Sequence, residues 1–423
     1  MRRLVFLLPA VLAVAVALRP LAAQKFIPKS ILFQGDPEYT SDELMAAAGL
    51  KKGVALNFTE MSAYTKKLLD TGVFSNVAFK FDGQDLTFTL APNEELYPIT
   101  LENLPLTPGK ELDAKLHERL PLFHGKVPAD GSLTEDVRTA LEEVLADQGL
   151  KASVVKTNGA DPTTQKVNSV VFSITAPPVQ MSVVSIEGVS TAYSSKVQSI
   201  ADDAGKFPFD TASSASNLAR IVEQFYSDQG YAAAKVEVVR SGNPSATPAA
   251  IIVPFAVRIV EGRVFTVASI QLPPGTPITK AEIDRALAPS GSPQGVRVRS
   301  IWVSISSRYR NKGYLDCKVT PHPVFDDAAG TVSYNVDVDP GPLYRLGFVK
   351  FDNVSDALRT VLIHNWQMLP GDPFDESYVA SFVTKAQTQD PALMRSLAGV
   401  KVKYYVTADP NTHIVNVAIR LER

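Results

Sequence analysis

Between Leu218 and Val239 the chain reads L-A-R-I-V-E-Q-F-Y-S-D-Q-G-Y-A-A-A-K-V-E-V-V, and the period of its apolar positions changes half-way. Leu218, Ile221, Val222 and Phe225 fall at i, i+3, i+4 and i+7, which predicts a helix with one buried face. Gly230 can take the left-handed conformation that closes a helix, and Val236, Val238 and Val239 then begin a strand. The same pattern returns elsewhere. Val137, Ala140, Leu141 and Val144 lead to Gly149 and a strand over 152–155, while Val298, Ile301, Trp302, Ile305 and Tyr309 lead to Gly313 and a strand over 315–319. A weaker copy (Met61, Tyr64, Leu68, Gly72, strand 77–81) comes first and a degenerate one (Tyr378, Phe382, Gly399, strand 400–405) comes last. The five glycines recur about every 80 residues, a period that marks tandem small domains.

Each copy carries further elements in a fixed order. In the first, 30–33 reads as a strand, Ser41-Asp42-Glu43-Leu44 as a capped helix start, and Asn57 as the N-cap of the helix holding Met61. Alternating segments at 77–81 and 86–90, joined across Asp82-Gly83, form a hairpin. The unit is therefore β-α-α-β-β. The third copy opens at 183–188, with Asp210 expected to cap its long helix. The fifth must break its long helix at Asp390-Pro391, with a short helix over 393–397.

Short junctions, among them Pro177-Pro178, Glu261-Gly262 and Pro340-Gly341-Pro342, join the copies. Proline-stiffened joints of this length favour a semi-rigid chain of modules. The expectation is an α+β protein with five tandem modules in an elongated array, at 24–95, 96–178, 179–262, 263–340 and 341–423.

Composition narrows the setting. Forty-two basic residues against 44 acidic give a net charge of −2, so there is no basic footprint for nucleic acid. Arg2 and Arg3 precede an apolar run from Leu4 to Leu18, and Arg19-Pro20-Leu21-Ala22-Ala23 follows with small residues at a cleavage point after Ala23, which predicts a secretory signal at 1–23. Retention as an anchor is the competing reading, although the run is shorter than the roughly 20 residues a spanning helix needs. Cys317 is the single cysteine, so no intrachain disulfide forms.

Catalytic patterns are missing from the sequence. There is no G-x-S-x-G, H-E-x-x-H, G-x-G-x-x-G or Walker loop. His117, His124, His322, His364 and His413 show no metal-ligand spacing and read as surface or core residues. Cys317 reads as a small buried side chain in a strand. Arg297, Arg299, Arg308 and Arg310 read as a solvated helix face. The expectation is a protein that is not an enzyme, with no cofactor and no metal.

The repeated β-α-α-β-β unit, the export signal and the helix-Gly-aromatic-strand pattern resemble the POTRA domains of BamA-type outer-membrane barrel-assembly proteins. The junctions Val260-Glu261-Gly262-Arg263-Val264-Phe265-Thr266-Val267 and Asp339-Pro340-Gly341-Pro342-Leu343-Tyr344-Arg345-Leu346-Gly347 are similar to that family's joints, and Gly371-Asp372-Pro373-Phe374-Asp375 to its lead into the second helix. The resemblance spans about 26 to 423 and stops short of the family's C-terminal barrel. It implies a periplasmic array, peripheral to a membrane or held there by a complex. The implied partners are unfolded outer-membrane protein precursors or barrel-assembly components. A structural envelope scaffold, or the soluble half of a split barrel-assembly protein, is the alternative.

The implied mode of binding is strand addition to an open sheet edge. By resemblance that edge is the second strand of each module, at 77–81, 152–155, 235–239, 315–319 and 402–405. The candidate residues are Lys235, Val236, Glu237, Val238 and Val239 in the third module, and Leu315, Asp316, Lys318 and Val319 in the fourth. Gly262 and Gly341 are the junction glycines.

Overall fold

The computed structural model describes residues 25–161, 164–388 and 400–422. The expected signal segment, the break at Asp390-Pro391, the helix over 393–397 and Gly399 lie outside these residues.

The order β-α-α-β-β appears five times. The first module has β1 (Ser30–Gln34), α1 (Ser41–Ala48), α2 (Phe58–Asp70), β2 (Phe74–Phe81) and β3 (Asp85–Pro92). The second has β4 (Leu96–Leu101), α3 (Lys110–Arg119), β5 (Lys126–Pro128), α4 (Ser132–Asp147), β6 (Ser153–Ala160) and β7 (Val167–Ala176). The third has β8 (Val179–Glu187), α5 (Ser194–Ala204), α6 (Ser214–Asp228), β9 (Lys235–Arg240), β10 (Ser245–Ala246) and β11 (Ile251–Val260). The fourth has β12 (Thr266–Gln271), α7 (Lys280–Leu287), α8 (Gln294–Arg310), β13 (Lys318–Asp326) and β14 (Thr331–Asp339). The fifth has β15 (Arg345–Asp352), α9 (Asp356–Asn365), α10 (Glu376–Thr388), β16 (Lys401–Asp409) and β17 (Ile414–Glu422). The short strands β5 and β10 were not legible in the hydrophobic pattern.

In every module the closing strand takes the centre of the sheet. The orders are β1-β3-β2, β5-β4-β7-β6, β12-β14-β13 and β15-β17-β16, and in the third module β11 pairs β8, β9 and β10. In the first, second, fourth and fifth modules the opening strand runs parallel to it, and second strands run antiparallel, as β15 and β16 do on β17. By contact the chain divides into two compact units. One runs to Gln180 and takes in Pro208–Ala212 and Asn243–Val253; the other holds Met181–Phe207, Ser213–Gly242 and everything from Pro254 onward.

Local chemistry sets the helix starts. Thr40 and Glu43, Asn57 and Glu60, and Thr279 and Glu282 form reciprocal capping boxes, each satisfying two otherwise orphaned amides. The first helix begins at Ser41, with Thr40 as its cap. Asp210 does not cap α6: its carboxylate accepts from the Ala212 amide in the preceding turn, and the helix starts at Ser214. The buried stripe of α6 is Leu218, Val222 and Tyr226 at four-residue steps, whereas Ile221 is 42% exposed. Tyr226 goes inside because its hydroxyl donates to Glu261 Oε1 at 2.7 Å, so the polar tip of a large apolar ring is satisfied.

Candidate polypeptide-binding edges

Among the described residues, the second strand of each hairpin pairs on one side only, which leaves its outer amides and carbonyls available to another chain. Which amides point outward follows from two contacts. The Val236 amide of β9 donates to Glu223 Oε1 on α6 at 3.1 Å, and the Val154 amide of β6 donates to Glu142 Oε1 on α4 at 2.9 Å. Both amides therefore face away from the ladder. Since amide direction alternates along a strand, Val236, Val238 and Arg240 point outward in β9, while Lys235, Glu237 and Val239 serve the ladder with β11.

The two carboxylates also blunt those edges. Glu142 and Glu223 stand seven residues before Gly149 and Gly230, one at the same place in each module. Each occupies the first outward donor that an added strand would use.

The fourth module is blunted differently. Its nine-residue β13 pairs continuously with β14, yet Pro321 lies opposite Val336 and Pro323 opposite Tyr334. Proline has no amide to donate, so an unbroken ladder requires both to sit where the amide would face outward. Val319 is in phase with them. It has the place that Val154 and Val236 hold in their modules, with its side chain against the core.

The fifth module differs again. Its β16 is also nine residues long and pairs at every position from Lys401 to Asp409 with β17. It contains no proline. Val402 packs against the module core, which puts it in phase with Val319 and aligns Tyr404 with Pro321 and Val406 with Pro323. Tyr404, Tyr405 and Val406 are 43%, 48% and 41% exposed. Apolar side chains in a row on an unpaired edge are what soluble proteins otherwise avoid.

The structure separates the sequence-derived candidates. Lys235, Val236, Glu237, Val238 and Val239 all lie on the β9 edge, and Lys318 and Val319 open β13. Leu315 and Asp316 do not belong to an edge strand: they lie in the turn before β13. Leu315 packs against the fifth module's core, and Asp316 accepts from the Tyr344 hydroxyl at 2.7 Å. Burial and this hydrogen bond push the Tyr344 phenol up to about 12, so it stays a donor. Cys317 is in the same turn rather than in a strand, half-buried, and burial raises its thiol further from the reactive thiolate.

Junction geometry explains the glycines. Gly262 and Gly341 have φ of 71° and 70°, a conformation that strains any residue with a Cβ. The carbonyl of Gly230 accepts from the Phe265 amide at 3.0 Å, and that of Gly313 from the Tyr344 amide at 2.8 Å. Each long helix thus ends where the next module's opening strand docks, and a Cβ on Gly313 would stand 2.7 Å from the Tyr344 carbonyl oxygen. The arginine run on α8 is not merely solvated. Arg299 binds Asp228 at the end of α6 with two hydrogen bonds of 2.9 and 2.8 Å, Arg308 binds Glu282, and Arg310 binds Glu376 at the start of α10. Two of these pairs join successive modules, a role that helical spacing alone does not disclose.

No family profile matches the chain. Among solved structures it is similar to POTRA domains 3–5 of BamA from Haemophilus influenzae, at 15% identity over 58% of this chain and 96% of that one, with a TM-score of 0.37. POTRA domains 1–3 of the Omp85 periplasmic domain from Anabaena align at 18% identity over 58% and 96%, with a TM-score of 0.21. The N-terminal domain of Omp85 from Thermosynechococcus elongatus aligns at 16% over 58% and 95%, with a TM-score of 0.19. The β-α-α-β-β order of the modules stands on their own strand pairing.

Proposed function

We propose that this chain is an exported array of POTRA-like modules that receives extended polypeptide by strand addition, and that β16 is the edge that receives it. The observation behind this is the contrast among edges: β6 and β9 carry a carboxylate on an outward amide, β13 carries two prolines, the register of β2 is broken between Phe74 and Asn76, and β16 shows none of these. An added strand bonds through main-chain groups, so its sequence is loosely specified, while Tyr404, Tyr405 and Val406 offer apolar contact on both faces of the edge. Outer-membrane barrel precursors, whose strands alternate apolar and polar residues, fit such an edge. Among the described residues no helix is long and apolar enough to cross a membrane.

The test places a photo-crosslinking side chain at Thr407 in β16, and separately at Lys156 in β6, in the full chain. An unfolded peptide with the alternating pattern of a barrel strand is then added. Labelling from Thr407 well above that from Lys156 is expected. Equal labelling, or none from Thr407, overturns the assignment and favours a scaffold that binds folded partners through its helices.

A further inference from the structure

Two histidines that are close in sequence but lack metal-ligand spacing meet a carboxylate from another module. Glu43 is the third residue of α1 in the first module, His117 lies in the last turn of α3 in the second, and His124 follows in the loop before β5. Glu43 Oε1 is 3.4 Å from His117 Nε2 and 3.2 Å from His124 Nε2. One donor atom from each of the three residues lies within 4.8 Å of the other two. The carboxylate is fixed in advance by its capping box, in which Oε2 accepts from the Thr40 amide at 2.6 Å and the Thr40 hydroxyl at 2.8 Å. Oε1 is left to face both rings.

The other ring nitrogens define the chemistry. His117 Nδ1 is 3.0 Å from the Phe123 carbonyl oxygen, which can only accept, so Nδ1 carries a proton and Nε2 is the ring nitrogen left to face Glu43. In the uncharged ring, Nε2 and the carboxylate oxygen that it faces are two ligand atoms that a metal cation can join. Donation of the remote N–H to a backbone carbonyl is also the arrangement that orients metal-bound imidazoles. His124 is held by its ring against Tyr39, with centroids 4.8 Å apart, and its Nδ1 points toward Glu38 Oε1 at 4.0 Å.

The distances fit a tetrahedral ion such as zinc. Zinc bonds of about 2.0–2.1 Å in a tetrahedron set neighbouring ligand atoms about 3.3 Å apart. The two separations from Glu43 Oε1, 3.4 and 3.2 Å, have that length. We propose that Glu43 Oε1, His117 Nε2 and His124 Nε2 bind a zinc ion, with water in the fourth position, and that the ion clamps the first module to the second. Two imidazoles and one carboxylate suit zinc and exclude magnesium and calcium, which take oxygen ligands.

The experiment titrates the untagged full chain with zinc chloride against a chromophoric chelator, and in parallel adds Co²⁺ and records visible absorption. One equivalent per chain is expected, with an intense tetrahedral Co²⁺ band. Glu43→Gln keeps the capping box, since glutamine serves at that position, and should weaken zinc at least tenfold and abolish the band. His117→Asn and His124→Asn should do the same, and His322→Asn, at a histidine paired with Asp337, should change neither. Absence of stoichiometric zinc binding in the parent chain overturns the site, as does binding indifferent to Glu43→Gln and to His124→Asn. Should a histidine variant misfold, the parent spectrum and Glu43→Gln still decide.

Discussion

The edge strands of the fourth and fifth modules have the same length, the same phase and an equivalent antiparallel partner, the closing strand of their own module, yet they treat an incoming chain in opposite ways. β13 sets Pro321 and Pro323 where β16 sets Tyr404 and Val406. The ladder on the inner side is complete in both, so the fold does not register the difference. Only an added strand would, because two outward donors are missing from one edge and present on the other. Each hydrogen bond so denied is worth about 1 kcal/mol, and an apolar contact is lost with it. Within one fold, two residues decide whether a module is closed to strand addition.

Moving the prolines should therefore move the activity. The largest effect is expected from Tyr404→Pro with Val406→Pro, which copies the β13 block onto β16. Peptide crosslinking from Thr407 should fall at least tenfold while the circular-dichroism melt stays close to the parent. The neighbouring pair Lys403→Pro and Tyr405→Pro, in the ladder phase, should instead destabilise the fifth module by about 3 kcal/mol or more in urea unfolding. Similar melts for the two pairs would show that the phase assignment is wrong.

The reciprocal change, Pro321→Tyr with Pro323→Val, should open a second edge and raise peptide stoichiometry, read by fluorescence titration, from one toward two. An unchanged stoichiometry would mean that the prolines do not guard β13. A smaller effect is expected at β9, where Glu223→Ala should expose the Val236 amide to faster hydrogen exchange at a stability cost of about 1–2 kcal/mol.

The smallest effect concerns the scaffold behind β13. Arg308, chiefly, and the Thr279 cap lower the Glu282 carboxyl from an ordinary 4.5 to about 2. A depressed carboxyl stabilises the fold above its unfolded value, and that contribution drains away as pH falls from about 4.5 through 2. Acid titration of the fourth module, followed by exchange of amides in α7, should show this decline, and Arg308→Ala should weaken it.

Much of this was legible in the sequence because the repeat sampled the same solution five times. Period and glycine spacing gave the module order, and the hairpin across Asp82-Gly83 appears as β2 and β3. The stripe of α6 was misjudged by one position, since Tyr226 looked polar until Glu261, 35 residues on, supplied its partner. Pro321 and Pro323 were visible as letters, but their meaning depends on register against β14. Glu237, a natural site for a proline test, turns out to serve the inner ladder. Glu43 and His124 are 81 residues apart, and no local spacing could have joined them.

Glu223 can also be viewed as a ligand tethered to its own receptor. A side chain on a short leash competes at an effective concentration in the millimolar range or above. A chain that pairs with β9 must therefore displace it before gaining anything at Val236. That toll is fixed, whereas the return grows with the number of further backbone bonds. Short segments would meet a closed door at β9, and only chains extended over most of its length would exchange with the carboxylate, so the latch filters by length rather than by sequence.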